Sequence, residues 1–152
     1  EVAGATTVEC DDMKIAAKSE GLTLGEQDMS GWGKRQWSGD KQLWVQAKNR
    51  GDFIELEIPV EGTKPVSVAV YATKSWDYGV LRFTVNNKQG AQVDLFSGQR
   101  GKAVPTGPIE LGTFEPAGGK LLLRAEVVGG NEKSEGTKSY FGLDCVVLKP
   151  TK

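Results

Sequence analysis

The sequence predicts an all-β protein, an antiparallel β-sandwich, and three observations lead there. Apolar and polar residues alternate with a period of two over several strand-length runs. Clusters of Gly, Pro, Asn and Ser separate those runs. The chain carries 20 glycines in 152 residues, and no convincing helical period lies between the runs, which favours many short strands joined by tight turns.

Taken in order, VECDDM at 8–13 reads as an opening strand with one cysteine beside acidic residues. GWGKRQWSGDKQLW at 31–44 then places three tryptophans among glycines and cations with no regular period, and reads as a loop. In GDFIELEIPVE, Ile54, Leu56, Ile58 and Val60 point one way and Glu55 and Glu57 the other, the mark of a strand with one buried face. PVSVAVYAT sets Val66, Val68 and Val70 against Ser67, Ala69 and Tyr71. YGVLRFTVNN sets Leu81, Phe83 and Val85 against Arg82, Thr84 and Asn86. KLLLRAEVVGG sets Leu121, Leu123, Ala125 and Val127 against Arg124 and Glu126. Turns are expected at 61–65, 86–90, 116–119 and 129–136, and FGLDCVVLKP reads as a closing strand. No internal repeat or linker divides the chain, and its length suits one domain over 1–152 with a real core.

Composition removes several function classes. Lys and Arg number 19 against 20 Asp and Glu, and a net charge of −1 supplies no global field for nucleic acid or an anionic membrane. No apolar run approaches the roughly 20 residues that span a bilayer, and EVAGATTVE lacks the regions of a signal peptide. Histidine is absent, so the commonest general base near neutral pH and the commonest zinc ligand are missing. No nucleophile-elbow, zincin, phosphate-loop or dinucleotide motif occurs. Carboxylates are plentiful, but no spacing singles out a glycosidase pair. We expect no enzyme.

The chain ends carry a second signal. If the first and last strands lie side by side, alternation puts Cys10 opposite Cys145 on one side and crowds Glu9, Asp11 and Asp144 on the other. Crowded carboxylates raise one another's pKa, and a hard cation such as calcium, which takes oxygen ligands, relieves the repulsion. The alternative is a set of solvated strand-end acids. The cysteines fit either two buried thiols or a single bridge closing a very long loop.

VECDDM resembles the opening, and FGLDCVVL the closing strand, of carbohydrate-binding modules of families 6 and 35 in the galactose-binding-domain-like superfamily. QWSGDKQLWVQAKNRGDFIELEIPV is similar to the core of the same superfamily. YATKSWDYGVLRFTVNNKQGAQVDLF and VPTGPIELGTFEPAGGKLLLRAEVVGGN look like sandwich domains appended to secreted proteins of planctomycete-type bacteria. The resemblance spans nearly the whole chain. It implies a jelly-roll fold and a structural calcium ion held by Glu9, Asp11 and Asp144. It also implies a secreted, periplasmic or cell-surface bacterial protein in which this module, a monomer, is attached to a larger one. One departure stands out: many family 6 modules carry a sugar-binding asparagine just before the closing aspartate, where this chain has Tyr140, Phe141, Gly142 and Leu143.

A sugar ring offers an apolar C–H face to a flat aromatic ring and hydroxyls at its edge. Trp32 and Trp76, each in a polar connection, are the expected platform for a polysaccharide or oligosaccharide. Lys34, Arg35 and Lys74 form the expected rim, with Tyr78 and Tyr140 as further ligand contacts. Trp37 and Trp44 are expected to pack. The sheet face around Tyr71 and Arg82 is the alternative site, and a protein-interaction or structural domain of a secreted assembly is the alternative function.

Overall fold

The structure is a computed structural model and describes residues 4–151. Among them run eleven strands: β1 (Thr6–Glu9), β2 (Lys14–Lys18), β3 (Thr23–Asp28), β4 (Lys41–Gln46), β5 (Phe53–Pro59), β6 (Val66–Ser75), β7 (Val80–Val85), β8 (Lys88–Asp94), β9 (Ala103–Phe114), β10 (Lys120–Gly129) and β11 (Phe141–Pro150). One sheet has the order β3-β4-β11-β6-β9, with β1 also on β11, and the other the order β2-β5-β10-β7-β8. Every strand pair is antiparallel. The fold is the expected all-β antiparallel sandwich.

The alternating runs line the space between the sheets. Ile54, Leu56 and Ile58 of β5, Leu81 and Phe83 of β7, and Leu121 and Leu123 of β10 are at most 1% exposed. Val68 and Val70 of β6, with Phe141, Leu143 and Val146 of β11, face them from the first sheet. Each such side chain contributes roughly 1.5–3 kcal/mol by leaving water. The hairpin at NNKQG is tighter than expected: Asn86 and Asn87 alone make the turn, at φ 47° and 69°, and Lys88 already begins β8. Two residues with positive φ match the twist of the strands they join.

β2, β3, β8 and β9 had no alternating signature because they lie at sheet edges, where no continuous buried face is required. β9 even carries Pro105 and Pro108, which an edge tolerates.

The first and last strands do pair, with Val8 opposite Val146 and Glu9 opposite Cys145. The expected facing of Cys10 and Cys145 is therefore corrected. The chain leaves β1 at Glu9 and enters a 3-10 turn over Cys10–Asp12, and a bulge between Leu143 and Cys145 shifts the parity of β11. Cys10 enters the main core while Cys145 sits beside Glu9 and Tyr71. Both are buried free thiols. Burial first, then the charges of Asp144 and Glu9, pushes Cys145 up to about 12.

Candidate functional site

The segment between β3 and β4 does not project into solvent but folds back across the outer face of the first sheet. Two anchors hold it there. The Trp37 indole N–H donates to Thr73 Oγ1 at 2.8 Å, and its ring packs with Met29 and Ala103. The Ser38 N–H donates to both oxygens of Asp144, at 3.0 and 3.1 Å, and its hydroxyl donates to Glu9 Oε2 at 2.5 Å. The Arg35 N–H closes the loop on Asp40 Oδ1 at 2.7 Å, with both residues at positive φ.

Beneath Trp37 lies a buried polar layer. Thr73 donates to Gln42 Oε1 at 2.5 Å, and Gln42 donates to Gln27 at 2.7 Å and to the Tyr78 hydroxyl at 3.1 Å. Gln42 and Thr73 are fully buried, so every partner matters: an orphaned buried donor or acceptor costs about 1–3 kcal/mol. Gly142 makes this possible, since a Cβ there would run into the Gln42 side chain.

With Trp37 pinned, Trp32 is carried onto Trp76. Their ring centroids are 5.8 Å apart at an interplanar angle of 38°, and both rings stay half-buried. Trp76 continues into a pocket of about 280 Å³ that it lines with Asp77, Glu135, Gly136, Thr137 and Tyr140. Tyr140 in turn meets Trp44 edge-on at 5.9 Å. Two aromatic rings, Trp76 and Tyr140, thus line the pocket, and each is backed by a further ring, Trp32 and Trp44.

The sequence-derived residues divide clearly. Trp32, Trp76 and Tyr140 come together, and Lys34 and Arg35 are exposed in the loop that carries Trp32. Lys74 is a half-buried residue of β6 opposite Val104. Tyr78 is corrected from a ligand contact to a core residue: it is 4% exposed, with its hydroxyl spent on Gln42. Trp37 packs as expected and is buried, and Trp44 also packs against the main core while staying half-buried. Tyr71 and Arg82 belong to different sheets, so no single face joins them.

No motif in the sequence singles out Asp77, Glu135 or Thr137. Their segments read only as turns, and no local pattern marks two turns as neighbours. Glu135 reaches the site because its N–H donates to the Trp76 carbonyl at 2.9 Å, while the buried Ser134 hydroxyl donates to the carbonyls of Trp76 and Tyr78 at 3.3 and 2.8 Å. Burial holds the Asp77 carboxyl above its ordinary value, and the Glu135 charge adds to that.

Two other surfaces lack these parts. A cavity of about 520 Å³ between the ends of β1, β5, β6 and β11 is lined by Val8, Pro59, Val60 and Leu148 without an aromatic ring. On the second sheet the Phe53 ring is already covered by the Arg124 guanidinium, 3.7 Å from its centroid.

The acidic residues near the chain ends feel one another without forming a cage. Burial first, then the charges of Glu9 and Asp11, raises Asp144 to about 7 against the pull of the Ser38 N–H. Asp11 is raised by burial and by its hydrogen bond to Glu26, which Lys41 holds at 3.1 Å. One Asp11 oxygen is buried without a partner. Among the described residues, no three acidic or cysteine side chains converge as metal ligands, because Ser38 bridges Glu9 and Asp144 while Asp11 turns to Glu26. The donor chemistry suits a hard cation, and the side-chain arrangement does not yet gather it.

The sequence matches no protein family and no curated protein. Solved structures with the same fold include Paenibacillus xanthan lyase (TM-score 0.76, 21% identity, 95% of this chain), of which this chain spans only 13%. They also include the Podospora anserina GH26-CBM35 β-(1,4)-mannanase (TM-score 0.56, 16% identity, 98% of this chain and 28% of that one). A third is the CBM36-1 domain of a multidomain xylanase from the hindgut metagenome of Trinervitermes trinervoides (TM-score 0.55, 8% identity, 97% of this chain and 98% of that one). At these identities the likeness is one of fold, and the fold is a β-sandwich of the kind found in a carbohydrate-binding module.

Proposed function

We propose that this protein is a noncatalytic carbohydrate-binding module that holds an attached enzyme or secreted protein at a polysaccharide. The observation that carries the reading is the contact of Trp32 with Trp76 beside a pocket walled by Trp76 and Tyr140. Aromatic faces next to fixed polar groups are what a pyranose ring requires, and tethering raises the local concentration of a partner without new chemistry. The neighbours named for CBM35 and CBM36 support the reading, as does the resemblance to families 6 and 35 and to planctomycete-type secreted proteins. The module is read as a secreted or cell-surface monomer.

A glycan array tests this. Defined hits that weaken in Trp32→Ala and Trp76→Ala support it. Uniform silence moves the tryptophans to the role of a protein-interaction surface, and turnover of a hit in an activity assay would replace the noncatalytic reading.

A structural calcium ion at Glu9, Asp11 and Asp144 belongs to the same proposal. It is supported by the mutual repulsion of these groups and the unpartnered buried oxygen of Asp11, and these three side chains would hold it. A ligand of the folded state alone raises stability with its concentration, so calcium is expected to raise the melting midpoint relative to chelator. Equal midpoints would remove the ion.

A further inference from the structure

The pocket between Trp76 and Tyr140 carries a charge pattern that the tryptophans alone would not suggest. Two carboxylates, Asp77 and Glu135, belong to its walls, and none of the residues lining it is a lysine or arginine. Glu135 has one cationic partner, Arg100 at 3.4 Å, whose side chain is 80% exposed and so contributes little. Asp77 has no ion pair among the described residues. The walls are also fixed. Ser134 and the Glu135 N–H tie them to the 76–78 backbone, and Ser139 donates to the Ala47 carbonyl at 2.5 Å. Gly79 and Gly130 let the segments close, since a Cβ at either would meet Lys138.

Two like charges beside aromatic rings in a half-enclosed site repel an anion, and the one counter-charge paired with them, Arg100, is carried by a solvent-exposed side chain. A sugar bearing a uronate or sulfate meets that repulsion. A sugar bearing an ammonium group removes it, donates charge-assisted hydrogen bonds to the carboxylates and lies over aromatic faces that attract cations. We propose that this pocket binds a protonated amino sugar, a 2-amino-2-deoxypyranose unit, with its ring against Trp76 and its ammonium group at Asp77 and Glu135. The inference rests on the carbohydrate-binding reading and narrows its ligand. The exposed Lys34 and Arg35 are not among the residues lining this pocket and can meet neutral parts of a longer chain.

The test is titration calorimetry with three β-1,4-linked hexamers: of glucosamine, of N-acetylglucosamine and of glucose. They share a backbone and differ at the 2-substituent. The glucosamine hexamer should bind about tenfold or more tighter than the other two, since only it gains the charge-assisted contacts. Asp77→Asn and Glu135→Gln should each shrink that preference, and the double variant should abolish it with the melting midpoint retained. Glu61→Gln, at an exposed acid lining the cavity near the chain ends, should leave it intact. Equal binding of the three hexamers, no binding of the glucosamine hexamer, survival of the preference in the double variant, or an equal loss in Glu61→Gln would each overturn the inference. If it falls while another glycan binds on the array, the carbohydrate-binding reading stands. Silence across the array removes both.

Discussion

Trp32 and Trp37 come from the same loop and the same local composition, yet one is 2% exposed and hydrogen-bonded while the other keeps a half-buried ring against Trp76. Nothing in their immediate neighbours accounts for the difference. Trp37 lands over the Thr73–Gln42 layer, which offers an acceptor for its N–H and apolar partners in Met29 and Ala103. Trp32 packs only partly buried against the edge of the Met29–Trp37–Ala103 cluster and lies on a second indole, Trp76, which lines the open pocket. A tryptophan becomes structural when the surface beneath it satisfies both its ring and its N–H, and it stays available when only the ring finds a partner.

The sharpest test of this contrast is Trp37→Ala, expected to cost about 3–5 kcal/mol of stability through the cavity it leaves. A denaturant titration reads this directly, and a loss below roughly 1 kcal/mol would mean that the loop is not anchored there. Thr73→Val keeps the shape but strands the Trp37 N–H and Gln42 Oε1, for an expected loss of about 1–3 kcal/mol. If Thr73→Val unfolds like wild type, the polar layer is dispensable.

Trp32→Ala and Trp76→Ala should act on the other side of the comparison. Affinity for a verified glycan should fall by about 1–3 kcal/mol, a range measured for aromatic stacking on nucleobases, while the melting midpoint barely moves. Full affinity in both would place the platform elsewhere.

A smaller effect concerns the second anchor, Asp144. Its folded-state value of about 7 lies above the ordinary 3.8, so the native protein keeps a proton that the unfolded chain releases. In calcium-free buffer stability should therefore decline as pH rises across that interval and level off above it. Melts of wild type and Asp144→Asn isolate the contribution, and parallel profiles would show that Asp144 does not titrate there. The least effect is expected at the rim: Lys34→Ala and Arg35→Ala should change affinity by under about 1 kcal/mol and less at high salt, because exposed charges are screened.

The alternating runs determined by themselves which residues fill the core. In a strand the period of two writes burial into local order, so Ile54, Leu56, Phe83 and Leu123 could be placed without knowing what they would touch. The pairing of the first and last strands could be posed as a premise but not read from alternation, and the aromatic character of 31–44 marked a region of interest. The tertiary structure decided the rest. The bulge at Leu143–Cys145 and the 3-10 turn at Cys10 break the parity on which the cysteine and carboxylate placements depended. Tyr78 belongs to the core, where Gln42 of β4, remote in the chain, satisfies its hydroxyl. Asp77 and Glu135 became two walls of one pocket because Ser134 and the Glu135 N–H tie separate turns together. These outcomes depend on contacts between segments remote in the chain, and a local pattern carries no record of which turns will meet.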